Sequence, residues 1–164
     1  MRFVAFYKRL TEQIIVRYNI LKEKTQEQYT KLYWTGVTIS NNGDVFKEID
    51  KEMVEQLCKK VEFLLVFIDE LLKMAEDIQE KIKIVAEELK EMDEKDIKQQ
   101  INLYTQFNNI NIEIDALRIL CESYSREQYA VTKDANNAAE VLKERFPKRR
   151  WTIIRNRKNK RSSL

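Results

Sequence analysis

The clearest pattern in the chain lies between Val54 and Met92. Apolar residues recur there at alternating steps of three and four: Val54, Leu57, Val61, Leu64, Ile68, Leu71, Ala75, Ile78, Ile82, Val85, Leu89 and Met92. This is the a/d spacing of a coiled coil, held for more than five heptads with no Gly or Pro to interrupt it. The spacing predicts a helix about 60 Å long at 1.5 Å per residue. Between Val61 and Met74 the apolar residues exceed the stripe, because Phe63, Leu65, Val66, Phe67, Leu72 and Met74 stand off the a/d positions. A helix that is apolar around most of its circumference needs cover from several directions. The residues Val61, Leu64, Leu65, Phe67, Ile68, Leu71, Leu72 and Met74 are therefore expected to meet a helix of another chain. The competing reading is that the N-terminal helix packs here and closes an ordinary three-helix bundle.

The flanking segments carry weaker patterns. Phe3 to about Tyr33 reads as a first helix, with Phe3, Tyr7, Leu10, Ile14, Leu21 and Leu32 able to share a face. Arg17 interrupts that stripe, and the stretch from Lys22 to Thr30 is mostly polar. Trp34–Asp44 reads as a loop. It holds both glycines of the chain, Gly36 and Gly43, and the turn-forming run Asn41-Asn42-Gly43-Asp44, with Asp44 placed to cap the next helix. After Met92 the charged run Asp93–Asp96 ends the apolar pattern and Asp96 can cap a new helix, although with no Gly or Pro there the helix could also continue. Val45–Met92 and Ile97–Arg145 span 48 and 49 residues, and equal lengths favour an antiparallel hairpin in which each helix has a partner throughout.

In the third helix Ile110, Ile114, Leu117, Cys121, Tyr124, Gln128, Val131, Ala135, Ala138 and Leu142 form a stripe. Ile97, Ile101, Tyr104 and Phe107 precede it in a different phase, with the slip near Asn108, Asn109 and Asn111. Pro147 ends the helix. The expected architecture is all-α: a long antiparallel helical hairpin (45–145), a shorter N-terminal helix (1–33), a loop (34–44) and a basic, disordered C-terminal tail (146–164).

Composition supports long helices. Charged residues make up 35% of the 164 residues and hydrophobic residues 43%, with 2 Gly and 1 Pro. So few turn-formers leave room for few turns, and hydrophobics in register argue against disorder. The formal charge of +3 hides a division. Lys148, Arg149, Arg150, Arg155, Arg157, Lys158, Lys160 and Arg161 lie in the tail; of 30 Lys and Arg, 22 remain elsewhere against 27 Asp and Glu, a net of −5. Three readings of the tail stand: an arm for an acidic polymer such as nucleic acid or the acidic tails of tubulin, a nuclear localisation signal, or a solubilising end.

Chemistry is constrained by what is missing. The chain has no His, which removes Ser-His and Cys-His catalysis and imidazole metal ligation. Two glycines cannot build a phosphate-binding loop. Cys58 and Cys121 read as reduced core cysteines, and the acidic cluster Glu87-Glu88, Glu91 and Asp93-Glu94 as a solvated face. The longest apolar run, Phe63–Ile68, is far short of a membrane span. No cofactor, small-molecule substrate or enzyme activity is expected.

The run Leu65-Val66-Phe67-Ile68-Asp69-Glu70-Leu71-Leu72-Lys73-Met74-Ala75-Glu76-Asp77-Ile78, followed by Ile112-Glu113-Ile114-Asp115-Ala116-Leu117, resembles the short coiled-coil subunits of the augmin complex over Val54–Arg126. That resemblance implies a non-catalytic subunit of a multi-subunit helical assembly on spindle microtubules. The assembly recruits γ-tubulin for branching nucleation in cell division. Other helical subunits would be its partners, with microtubules reached directly or through them, in the cytoplasm, cytoskeleton and spindle. A weaker resemblance, through Leu57-Cys58 and Tyr124-Ser125-Arg126-Glu127, is to the cyclin-dependent-kinase-two-interacting proteins. It implies a nuclear adaptor for ribosome maturation or replication, with the tail as its binding arm.

Overall fold

A computed structural model describes residues 2–145, apart from the side chains of residues 2, 44–49 and 142. Three α-helices account for it: α1 (Arg2–Asn41), α2 (Gly43–Lys90) and α3 (Ile97–Arg145). No strand occurs among the described residues, so the fold is all-α. The basic tail residues Lys148–Arg161 lie outside the described residues.

The aliphatic seam of α2 is buried from Val54 to Leu89, each member no more than 6% exposed. Its start is set by Asp50. That residue leaves helical geometry (φ −152°, ψ 91°), and its Oδ1 accepts the backbone N–H of Met53 at 3.0 Å. An extended residue whose carboxylate takes an N–H of the first turn is an N-cap. The regular helix therefore begins at Lys51, capped by Asp50; the side chain of Asp44, expected to cap, lies outside those described.

The expected loop at 34–44 is helical instead. α1 continues to Asn41, and Asn42 alone makes the turn into α2. The cause is a heptad that hydrophobicity does not reveal. A buried stripe of α1 runs Tyr7, Thr11, Ile14, Tyr18, Leu21, Thr25, Gln28, Leu32, Thr35 and Ile39 and ends on Asn42 in the turn, again at alternating steps of four and three. Its threonines are satisfied within the helix: the hydroxyls of Thr11, Thr25 and Thr35 donate to the carbonyls of Tyr7, Leu21 and Lys31 at 2.7–3.0 Å. At the end, Asn42 Nδ2 donates to the Thr38 carbonyl at 2.9 Å. Arg17 is exposed beside this stripe and does not break it.

The hairpin expected at 93–96 is present. Asp96 caps α3 by accepting the Gln99 N–H at 3.1 Å, and the Asp96 N–H closes the turn onto the Asp93 carbonyl at 3.0 Å. The expected phase slip near Asn108 is absent. The buried stripe of α3 starts at Leu103 and passes through Phe107, Ile110 and Ile114 without a break, whereas Ile97, Ile101 and Tyr104 are 69%, 61% and 55% exposed. Those three belong to the surface.

The chain divides into two compact units. The first combines Met1–Gln26 with Asp69–Glu122. Here α1 and α3 run parallel, since Tyr7 meets Phe107 (ring centroids 4.9 Å) and Thr25 meets Cys121 (3.2 Å). Cross-helix polar contacts lie on its surface, Arg17 with Asp115 (3.2 Å) and Lys81 with Glu113. The second unit combines Glu27–Ile68 with the described residues from Ser123 onward. In it the Thr35 and Thr132 hydroxyls are 3.0 Å apart, and the Phe67 ring stacks on Tyr124 at 5.9 Å.

Candidate partner-binding faces

The eight residues expected to meet another chain are divided by the structure. Val61, Leu64, Ile68 and Leu71 are buried beneath the chain's own helices, at 6%, 3%, 0% and 1% exposure. α1 packs on this seam at Val61, where a Cβ on Gly36 would lie 3.6 Å from Val61 Cγ1, and all four buried residues are unavailable to a second chain while the fold is intact. Leu65, Phe67, Leu72 and Met74 are half-buried. The surface residues of this stretch are ones outside that set: Phe63 at 70% and Val66 at 65% exposure.

In the second unit these two residues form a supported patch. The Phe63 ring is parallel to Phe67 at 6.4 Å, and Phe67 in turn stacks on the fully buried Tyr124. An aromatic ring held from below presents its outer face at little further entropic cost, a property shared by side chains that anchor protein interfaces. Burial pushes the Tyr124 phenol well above its ordinary range, and its hydroxyl is enclosed without a hydrogen-bond partner. Tyr124 therefore acts as a packing platform.

The first unit carries a second and larger set of exposed apolar residues. Phe6, Leu10, Tyr104 and Asn108 line an open groove of about 290 Å³ between α1 and α3. Beyond it Ile101, Ile112 and Ile119 stand on the outer side of α3, and Val16 and Ile20 on α1, all 57–67% exposed. An aromatic cluster of Phe3, Phe6, Tyr7 and Phe107 supports one end, with neighbouring centroids 4.4–5.4 Å apart. Sequence reasoning read Ile97, Ile101, Tyr104 and Phe107 together as a stretch preceding the seam in a different phase, and so missed this face. The signal was available in the spacing of Ile101, Ile112 and Ile119, which are out of phase with the buried stripe.

Both cysteines are free. The Cys121 thiol is buried against the Thr25 hydroxyl, and burial raises it above its ordinary value despite that contact and nearby Lys24. A thiol held protonated is unreactive. Among the described residues no group of three or more Cys, Asp or Glu could hold a metal ion, and no described helix is long and apolar enough to cross a membrane. The chain matches no protein-family model, no curated protein and no solved structure.

Proposed function

We propose that this chain is a non-catalytic helical subunit of a hetero-oligomeric assembly, and that it receives a helix of another subunit on the Phe63–Val66 face of its second unit. The observation that carries this reading is a phenylalanine and a valine exposed at 70% and 65% on a stacked aromatic platform. Burying such side chains contributes roughly 1.5–3 kcal/mol each, and exposed apolar clusters mark contact sites. The resemblance of Leu65–Ile78 and Ile112–Leu117 to the short augmin subunits gives the proposal its particular form. The assembly is then a microtubule-associated complex that recruits γ-tubulin to spindle microtubules.

The test is a pull-down of the full-length tagged chain from dividing cells, beside a Phe63→Asp/Val66→Asp variant of unchanged helicity. The expected result is recovery of γ-tubulin and helical partner subunits with the wild type and their loss with the variant. Recovery without any spindle component would overturn the microtubule form of the proposal. Recovery indifferent to the variant would overturn the face.

A further inference from the structure

The outer face of α3 in the first unit carries a second heptad seam, and it is self-complementary. The positions 98, 101, 105, 108, 112, 115, 119 and 122 follow one another at alternating steps of three and four, and all are exposed. They nest symmetrically about Ile110: Lys98 with Glu122, Ile101 with Ile119, Thr105 with Asp115, and Asn108 with Ile112. We propose that this face binds a second copy of the chain, with the two α3 helices antiparallel about a twofold axis level with Ile110.

An isologous twofold contact requires that each residue facing a partner position be faced in return by its counterpart, and the nested pairs satisfy this. Each end of the seam then carries a Lys98–Glu122 ion pair. Inside it lies an Ile101–Ile119 layer, and each pair occurs twice. A parallel arrangement would instead set Lys98 against Lys98 and Glu122 against Glu122, so charge fixes the antiparallel sense. The layers near the axis are mixed or polar, Asn108–Ile112 and Thr105–Asp115, and the aliphatic contact comes from Ile101, Ile112 and Ile119. On the α1 side Phe6, which shares a groove with Tyr104, widens the contact beyond a single helix. This contact is separate from the Phe63 face and does not depend on the partner proposed there.

Sedimentation equilibrium of the purified full-length chain tests the proposal, with circular dichroism to confirm that each variant keeps its helicity. The wild type is expected to show a reversible monomer–dimer equilibrium. Ile112→Lys, a change at a surface position, should weaken dimerisation by about tenfold or more. Lys98→Glu alone should also weaken it, and Lys98→Glu combined with Glu122→Lys should restore it. A monomer at every concentration would overturn the proposal. So would a dimer indifferent to Ile112→Lys, a charge exchange that fails to restore association, or a dimer lost on Phe63→Asp and not on Ile112→Lys.

Discussion

The two units share one aliphatic helix and differ in what the other two bring to it. α2 contributes Leu71, Ala75, Ile78, Ile82, Val85 and Leu89 to the first core and Val54, Leu57, Val61, Leu64 and Ile68 to the second. Against the first set α3 packs Leu103, Phe107, Ile110, Ile114 and Leu117, all large. Against the second it packs Gln128, Val131, Ala135, Ala138 and Ala139 beside Tyr124. α1 follows the same trend less sharply, burying Thr11 and Thr25 in the first unit and Gln28, Thr35 and Thr38, with Asn42 of the turn, in the second. Small and polar residues remove less apolar area from water, and buried hydrogen bonds add only about 1 kcal/mol each net. The first unit is therefore a conventional apolar core. In the second, fit is specified as much by matched threonine hydroxyls and alanines as by hydrophobic burial.

The largest test of this contrast places a carboxylate in each core. Ile78→Asp and Ile68→Asp, at 2% and 0% exposure, should each cost about 3–5 kcal/mol through an uncompensated buried charge. Segment-resolved amide exchange should show Ile68→Asp releasing residues 27–68 and 123–145 while residues 69–122 stay protected. If both segments lose protection together, the two units form a single cooperative body and the contrast between them does not govern stability.

Alkaline pH sharpens the comparison next. Burial raises the phenols of Tyr7 and Tyr18 in the first unit, with Tyr104 and Glu76 adding to it, raises the Cys121 thiol there, and raises Tyr124 in the second. These acids keep their protons longer folded than unfolded. The folded state is then fully favoured below the unfolded values, 9.0 for the thiol and 10.0 for the phenols. It loses stability as pH climbs from those values toward the raised folded ones. On the alkaline side, urea midpoints should be level up to pH 9.0 and fall above it. A midpoint that rises in that range would contradict the burial of these groups.

Smaller effects probe the second core alone. Tyr124→Phe removes an enclosed hydroxyl without a partner and keeps the ring on Phe67, so stability should rise by about 1 kcal/mol. Gly36 lies inside α1, where an added Cβ would meet Val61 Cγ1 at an ordinary 3.6 Å. Gly36→Ala should accordingly stabilise by about 0.5–1 kcal/mol through helix propensity and a less flexible unfolded chain. Thermal melts check both, and a loss of stability on Gly36→Ala would mean that α1 and α2 approach more closely than this contact allows.

The amino-acid sequence by itself determined the all-α class and the seam from Val54 to Leu89, and favoured the hairpin at Asp93–Asp96 over a continuous helix. Aliphatic residues at heptad spacing and an Asp cap express those features locally, whatever they pack against. It did not reveal that α1 runs through Trp34–Asn41, because four of that helix's ten seam positions are Thr or Gln and a hydrophobic count passes over them. It did not separate Phe107 from Ile97, Ile101 and Tyr104, which are equally apolar. Which of them turned inward was decided by register with α1, where Tyr7 meets Phe107. The candidate faces divided in the same way. Val61, Leu64, Ile68 and Leu71 were legible as apolar, but only the tertiary structure decided that the chain's own helices cover them. Phe63, Val66 and the outer side of α3 were left for other molecules because three packed helices can enclose only their inward stripes.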